Sequence, residues 1–170
     1  MLSVKRLLAY GLDFVLLALI LTGLQWLLYA VTSGFPFDRL ESGVQIELWV
    51  LLSMSLPVWG YFIYCETRYG QTLGKRLLKL KVASSTNRPL RFRQTLVRTA
   101  IRLLPWELTH LIILVPEPWW SVAEPEHTAL IYIPNALIVL YIAVLFLSGG
   151  KRGVHDLAAN TTVKSTRQPV

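Results

Sequence analysis

Positive charge is distributed very unevenly along this chain. Two loops between its long apolar runs, Thr32–Glu47 and Pro116–Thr128, contain only one of the 17 Lys and Arg residues, Arg39. The other sixteen lie at the N-terminus, between Glu66 and Arg102, or after Gly150. Because the Lys and Arg content of short loops sets the orientation of membrane proteins, this alternation predicts a multi-pass membrane protein with both termini in the cytoplasm. The two loops instead carry six acidic residues, Asp38, Glu41, Glu47, Glu117, Glu124 and Glu126.

The composition excludes an ordinary soluble domain. Hydrophobic residues make up 54% of the chain, charged residues only 16%, and the mean hydropathy is +0.48, which is too apolar for a typical globular domain. The formal net charge of +7 is confined to one side of the predicted membrane protein, so we expect contact with anionic lipid headgroups rather than with nucleic acid. The single cysteine, Cys65, cannot form an internal disulfide, and we expect no metal and no cofactor.

Four apolar segments are long enough to cross a bilayer, whose hydrocarbon core requires about 20 helical residues. The sequence therefore predicts an all-α membrane protein with four spans, at residues 7–31, 48–64, 100–120 and 129–147. They form a single domain of residues 1–164, followed by an expected disordered tail at residues 165–170. Pro57 predicts a kink in the second span.

The third span has the weakest signal, because it contains four residues that are unusual in a membrane helix: Arg102, Pro105, Glu107 and His110. Alternatively, residues 100–115 lie along the membrane interface, which gives three spans and an external C-terminus. That arrangement places the C-terminal Lys and Arg residues outside, against the usual charge distribution. We therefore predict four spans.

The residues between the second and third spans are predicted to form a small basic cytoplasmic subdomain together with the C-terminal residues. Gln71–Leu78 has the pattern of a short amphipathic helix, with Lys75 and Arg76 on its polar side. Strand-like patterns occur in three segments, Leu78–Val82, Pro89–Phe92 and Asn160–Lys164. We expect the second of these to return antiparallel to the first after a turn.

Asp13 is a carboxylate within the first span and requires a partner there. Arg6 lies seven residues earlier on the same helix face, but about 10 Å away along the axis, which is too far for an unaided ion pair. The expected partners are cations of neighbouring elements, namely Arg98, Arg102, Lys75 and Arg76. Asp13 then serves either as a structural ion-pair partner or as a proton- or cation-binding site. The surplus of nearby arginines favours the structural role.

A second carboxylate, Asp156, lies beside His155 in the basic C-terminal stretch. Adjacent residues on a helix do not face each other, so we do not expect the two to act as a base and its carboxylate partner. The sequence instead predicts that Asp156 is a helix N-cap or a partner of Lys75 or Arg76.

Glu107 and His110 are three residues apart and share one face of the third span, near the middle of the membrane. Such a pair can relay a proton or hold a metal ion, but two ligands are too few for a structural metal site. We therefore expect His110 to be a helix-packing residue. The sequence contains no nucleophile motif of the Gly-x-Ser-x-Gly type and no phosphate-binding loop, so it predicts no enzyme.

Three motifs together resemble the RDD family of small bacterial membrane proteins. Arg6, Asp13 and Asp156 match the family's Arg-Asp-Asp pattern, residues 70–82 (GQTLGKRLLKLKV) resemble its central block, and residues 151–163 (KRGVHDLAANTTV) resemble its closing block. The resemblance covers residues 4–164 with the motifs in the same order. It implies a small integral membrane protein without a settled molecular function. A transport role is usually suggested for the family, with cation–proton exchange proposed for some members.

Two functions remain open on the sequence. The first is a non-catalytic accessory or scaffold protein of the bacterial plasma membrane, in which the charge cluster has a structural role and the basic face contacts lipids or a protein partner. The second is a transporter or transporter subunit. Because four spans in a chain of 19.3 kDa are too few to enclose a transport path, and no inverted repeat is visible, transport requires a homo-oligomer.

Overall fold

The computed structural model describes residues 1–86 and 89–166, which are mainly helical. The elements in chain order are α1 (Leu2–Thr32), α2 (Gly43–Val50), a π-helical turn (Leu51–Ser55), α3 (Leu56–Tyr69), α4 (Leu73–Leu77), β1 (Leu80–Ser84), α5 (Phe92–Leu114), α6 (Tyr132–Leu147), α7 (Val154–Ala158) and β2 (Thr161–Ser165). Short 3-10 turns lie at Phe37–Arg39, Trp119–Ser121 and Thr128–Ile131.

The number of predicted spans is confirmed. Within the described residues, four helical segments are long and apolar enough to cross a membrane: Leu2–Thr32, Gly43–Tyr69, Phe92–Ser121 and Thr128–Leu147. The first three extend beyond the predicted apolar segments at the end of the bundle where α1 begins. At that end the helices continue through charged residues, of which Arg6, Glu66, Arg98 and Arg102 are buried, so the apolar run is shorter than the helix.

The two ends of the helix bundle contain different elements. The N-terminal turn of α1, together with α4, α7 and the strands β1 and β2, lies at one end, which is called here the basic end. The loops of residues 33–42 and 115–127 lie at the other, called here the acidic end. Because the described chain runs along the bundle four times, its first and last described elements, the start of α1 and the strand β2, both lie at the basic end.

Prolines within the helices are accommodated by neighbouring groups. Pro105 lies inside α5 and cannot donate a hydrogen bond to the carbonyl of Ile101, but the Tyr141 hydroxyl of α6 donates to that carbonyl at 2.8 Å. Near Pro57, where the sequence predicts a kink, the helix forms a π-helical turn just before the proline. Such a turn is one of the usual ways in which a helix adapts to a disrupted hydrogen-bond ladder.

The two strands pair antiparallel at the basic end, with Val82 opposite Val163. The expected strands around Leu78–Val82 and Asn160–Lys164 are therefore confirmed with a shift of one or two residues. The expected return strand at Pro89–Phe92 is wrong, because Pro89, Leu90 and Arg91 are in no strand and Phe92 already begins α5. Ser165 is the last residue of β2 and not the first of a tail, whereas residues 167–170 lie outside the described part.

A small apolar core joins the sheet to α1. Leu80, Val82 and Val163 pack with Ala9, so the inward side chains of both strands cover the first helix. The start of α4 lies against the same helix, where a Cβ atom on Gly74 would come within 2.1 Å of the Ala9 carbonyl oxygen. This close approach requires a glycine and brings α4 within hydrogen-bonding reach of Asp13.

Candidate functional site

Glu66, near the end of α3, is the centre of a buried charge cluster at the basic end. It is fully buried and accepts hydrogen bonds from three cations, Lys75 Nζ at 2.5 Å, Arg98 Nε at 2.7 Å and Arg102 Nη2 at 2.8 Å. One carboxylate therefore ties α3 to α4 and to α5. Charge-assisted hydrogen bonds of this kind are the stronger ones in proteins.

Asp156 is the second anion of the cluster and is also fully buried. It forms ion pairs with Arg6, at 2.5 Å, and with Arg98, and it accepts hydrogen bonds from the Thr161 hydroxyl at 3.1 Å and the Gly153 N–H at 2.7 Å. Arg98 thus bridges the two carboxylates and connects α7 to the spans. The expected pairing of Asp156 with Lys75 or Arg76 is wrong, as is its expected place as N-cap, because it lies at the third position of α7.

Arg6 and His155 complete the cluster on the side of the first helix. Besides Asp156, the Arg6 guanidinium donates to the Gly150 carbonyl at 3.0 Å and lies 3.1 Å from His155 Nε2. Burial, together with the nearby Arg98, Arg102 and Arg6, holds the pKa of His155 well below its ordinary value. The imidazole is therefore neutral at neutral pH. Because Nε2 accepts from Arg6, its single proton resides on Nδ1.

Asp13 does not form the ion pair predicted for it. Its carboxylate accepts hydrogen bonds from the Tyr61 hydroxyl at 2.7 Å, the Thr72 hydroxyl at 2.5 Å and the Gly74 N–H at 2.8 Å, and within the described residues no cation lies within ion-pair distance of it. The prediction of Arg98 or Arg102 as its partner is wrong, because Glu66 and Asp156 take both guanidinium groups. Asp13 instead anchors α4, whose N-cap is Thr72.

The two other predicted partners of Asp13, Lys75 and Arg76, are adjacent on α4 but differ in burial. Lys75 is buried against Glu66 rather than lying on the polar side of the helix, and Arg76 is exposed, with no ion pair in the part of the chain that the structure describes. Burial lowers the pKa of Lys75 to about 7, although Glu66 opposes that shift.

Positive charge exceeds negative charge within the cluster. Four buried cations, Arg6, Lys75, Arg98 and Arg102, surround two carboxylates, which leaves a surplus of two charges when Lys75 is protonated. The ring of Phe62 offsets part of this positive surplus through a cation–π contact, because the Arg102 guanidinium lies 4.7 Å from the ring centroid. A surplus of cations disfavours the binding of a metal cation, and no metal-binding group of three His, Cys, Asp or Glu occurs among residues 1–86 and 89–166.

A second polar cluster lies nearer the acidic end. His110 Nε2 is 3.1 Å from Glu107 and His110 Nδ1 is 2.8 Å from Glu47, and Glu107 also accepts hydrogen bonds from Ser55 at 3.0 Å and Trp59 at 2.8 Å. The structure thus brings together the predicted pair, which lies four and seven residues past the middle of α5. Glu47, assigned to the acidic loop on the sequence, is the added member.

Sequence reasoning missed Glu66, although a signal for it was present. Between Cys65 and Arg102 it is the only acidic residue, in a segment that contains ten Lys and Arg residues. A lone carboxylate at the end of a span, within such a segment, is the natural counter-ion for cations that must be buried. Glu47 carried no comparable signal, because it lies among other acidic residues.

Comparison with known proteins gives one result. The family model described as RDD family matches residues 3–160, which is nearly the whole chain and includes Arg6, Asp13, Glu66 and Asp156. No curated protein and no solved structure matches the chain.

Asp13→Asn tests the revised role of Asp13. The amide cannot accept all three hydrogen bonds as a carboxylate does, so we expect the free energy of unfolding in mixed micelles to fall by about 1–3 kcal/mol. Thr72→Val removes one of the donors, so its effect combined with Asp13→Asn should be smaller than the sum of the single effects.

Glu41→Gln, at an exposed acidic residue, is the control and should change the free energy of unfolding little. The interaction free energy between Asp13→Asn and a second substitution could instead be larger for Arg98→Gln or Arg102→Gln than for Thr72→Val. That result would contradict the hydrogen-bonding role of Asp13 and support an ion pair with the arginine.

Proposed function

Since this chain belongs to the RDD family, and Arg6 and Asp156 of its motif lie in the buried charge cluster, we propose that it is a non-catalytic membrane scaffold protein. The observation that carries the proposal is the continuity of the cluster. Through Glu66, Arg98 and Asp156 it joins α3, α4, α5 and α7, and Arg6 adds α1. The cluster thus stabilises one arrangement of the helices and the strand pair at the basic end.

The surroundings of Asp13 support this structural role over transport. A cation carried through the bundle must displace a proton or a donor from a carboxylate that it can reach. Asp13 is 1% exposed and its oxygens already accept three hydrogen bonds. The adjoining charge cluster has a surplus of positive charge, which repels a transported cation. The transporter function therefore has less support, and it still requires an oligomer.

The exposed surface of the basic end supports a place for the chain in the bacterial plasma membrane, with both termini in the cytoplasm. All three acidic residues of this end, Asp13, Glu66 and Asp156, are buried. Exposed charge there is therefore positive throughout the described residues, at Lys5, Arg68, Arg76, Lys79, Lys81, Arg91, Arg93, Lys151 and Lys164. Such a surface suits the anionic cytoplasmic leaflet, where each Lys or Arg near the headgroups contributes about 1 kcal/mol of attraction.

Single cysteines in a Cys65→Ser background test the proposed orientation. Glu41→Cys and Ala123→Cys lie in exposed loop positions at the acidic end, and Lys164→Cys is exposed at the basic end. We expect a membrane-impermeant thiol reagent to label the first two in intact cells and the third only after permeabilisation. Labelling of Lys164→Cys from outside intact cells would contradict this orientation.

Proton flux in liposomes distinguishes the scaffold from the transporter. We expect the purified chain to produce no proton movement above that of empty liposomes when a Na⁺ or K⁺ gradient is imposed, because Asp13 holds no exchangeable cation site. The readout is a pH-sensitive dye inside the liposomes, and Glu41→Gln is the matched control variant. Flux in the wild type and in Glu41→Gln that is lost in Asp13→Asn would overturn the scaffold proposal.

A further inference from the structure

A cavity at the basic end, called here the α5 cavity, lies outside the charge cluster. It has a volume of about 500 Å³ and lies where β1 ends and α5 begins, with the end of α7 and the two residues after it as a third wall. This volume is within the range of about 300–1,000 Å³ that is usual for small-molecule sites. Six polar residues line the cavity: Ser84, Thr86, Arg91, Arg93, Gln94 and Asn160.

Gln94 fixes the walls of the α5 cavity relative to one another. Its side-chain amide donates to the carbonyls of Ala159 at 3.1 Å and Asn160 at 3.4 Å, and lies 3.5 Å from the Ser84 hydroxyl. Its carbonyl oxygen accepts from the Arg91 N–H at 3.2 Å. The cavity is therefore built by side-chain hydrogen bonds between α5, the end of β1 and the residues after α7.

Among the described residues, only positive charge lines the α5 cavity. Arg91 and Arg93 are exposed there, and neither forms an ion pair within the described part of the chain. Ser85 lies between two lining residues, and the Arg152 guanidinium donates to its hydroxyl at 2.6 Å, so a third positive charge lies near the opening. The three carboxylates of the basic end are buried and bound to other partners. The cavity therefore suits an anionic group.

A phosphate group matches the donors of the α5 cavity. Guanidinium groups bind phosphate oxygens through two parallel hydrogen bonds, and the Thr86 hydroxyl and the Asn160 amide add neutral donors. A zwitterionic headgroup fits less well, because its ammonium group meets no carboxylate among the lining residues. These donors therefore favour a phosphate whose substituents carry no positive charge.

The α5 cavity lies at the depth of lipid headgroups. The hydrocarbon core requires about 20 helical residues, and that many residues counted back from Leu114, where α5 ends, reach Thr95. Phe92 and Arg93 then lie about 3–5 Å outside the hydrocarbon core. The headgroup layer is about 5–7 Å thick on each side of the bilayer, so the first turn of α5 lies within it.

An apolar stripe adjoins the cavity on the same helix. Arg93 and Val97 are four residues apart on one face of α5 and both line the cavity. Phe92 and Leu96, also four residues apart, form the neighbouring face and are 60% and 36% exposed. A free phosphate ion makes no use of this stripe. A phospholipid with its phosphate in the cavity lays its acyl chains along it, and the stripe therefore favours the lipid over the free ion.

We propose that the α5 cavity is a binding site for one anionic phospholipid, whose phosphodiester is held by Arg91 and Arg93. The site rests on the proposed placement of the basic end at an anionic leaflet, and it adds a defined partner and a stoichiometry to that placement. A uniform attraction of lipid to the basic surface makes all its exposed cations equivalent, whereas the site makes these two arginines more important than the others.

Native mass spectrometry of the full chain, released from detergent micelles with increasing amounts of phosphatidylglycerol, tests the site. We expect the first phosphatidylglycerol to bind more tightly than the following ones and more tightly than phosphatidylethanolamine. In the double variant Arg91→Gln/Arg93→Gln, the dissociation constant of this first lipid should rise about 30-fold, because two cations next to its headgroup are lost.

The matched control is the double variant Arg68→Gln/Arg76→Gln. It removes the same charge from two exposed arginines of the basic end that do not line the cavity. Salt screens attraction between exposed charges beyond about 8–10 Å, so the dissociation constant should stay within about threefold of the wild-type value.

Inorganic phosphate and glycerol phosphate distinguish the lipid from a soluble source of the same group. Neither reaches the apolar stripe of Phe92 and Leu96, so we expect neither to displace the first phosphatidylglycerol from the wild type. Displacement that is lost in Arg91→Gln/Arg93→Gln would show that the cavity binds free phosphate instead, and it would overturn the lipid site.

Two further results would overturn the proposal: a wild type that binds phosphatidylglycerol no more tightly than phosphatidylethanolamine, or equal rises of the dissociation constant in the two double variants. If Arg91→Gln/Arg93→Gln does not fold, the lipid comparison and the phosphate competition on the wild type decide the question. Cysteine labelling and liposome flux test the proposed function without counting bound lipid, so a failure of the lipid site is distinguishable from a failure of the scaffold proposal.

Discussion

The bridge that Arg98 forms between Glu66 and Asp156 is the interaction on which the basic end depends. All three side chains are fully buried, and the guanidinium uses both of its edges to hold carboxylates from α3 and α7. A buried ion pair adds little stability compared with apolar residues of similar volume, but loss of one partner costs about 3–5 kcal/mol, because the other charge remains buried. The network therefore selects one arrangement of the helices more than it increases stability.

The position of the other polar residues follows from this bridge. Since Glu66 and Asp156 take up the cations, Asp13 is left to bind neutral donors, and it uses them to position α4 against α1. β1 follows α4 directly and β2 follows α7, so the two buried carboxylates also bring the two strands together. The motif residues act on the same small region through different partners.

The architecture was largely predictable from the sequence, because hydrophobic length and the alternation of charge are properties of whole segments. The number of spans and two of the three expected strands follow from such patterns. The choice of partners was not predictable in the same way. Asp13, Arg98 and Arg102 have compatible charges and similar depth, and only the three-dimensional geometry shows that Glu66 lies closer to the arginines. Glu47 was misplaced because a helix that starts at Gly43 includes residues that the composition assigns to a loop.

A double-mutant cycle on Glu66 and Arg98 tests whether the two side chains form a coupled buried pair. The free energy of unfolding in mixed micelles is measured for the wild type, Glu66→Gln, Arg98→Gln and the double variant, with Lys5→Gln as an exposed control at the same end. A buried pair predicts that the double variant loses less stability than the sum of the single variants, by about 1–3 kcal/mol. Strictly additive losses would contradict the account, because they would show that the two residues contribute independently.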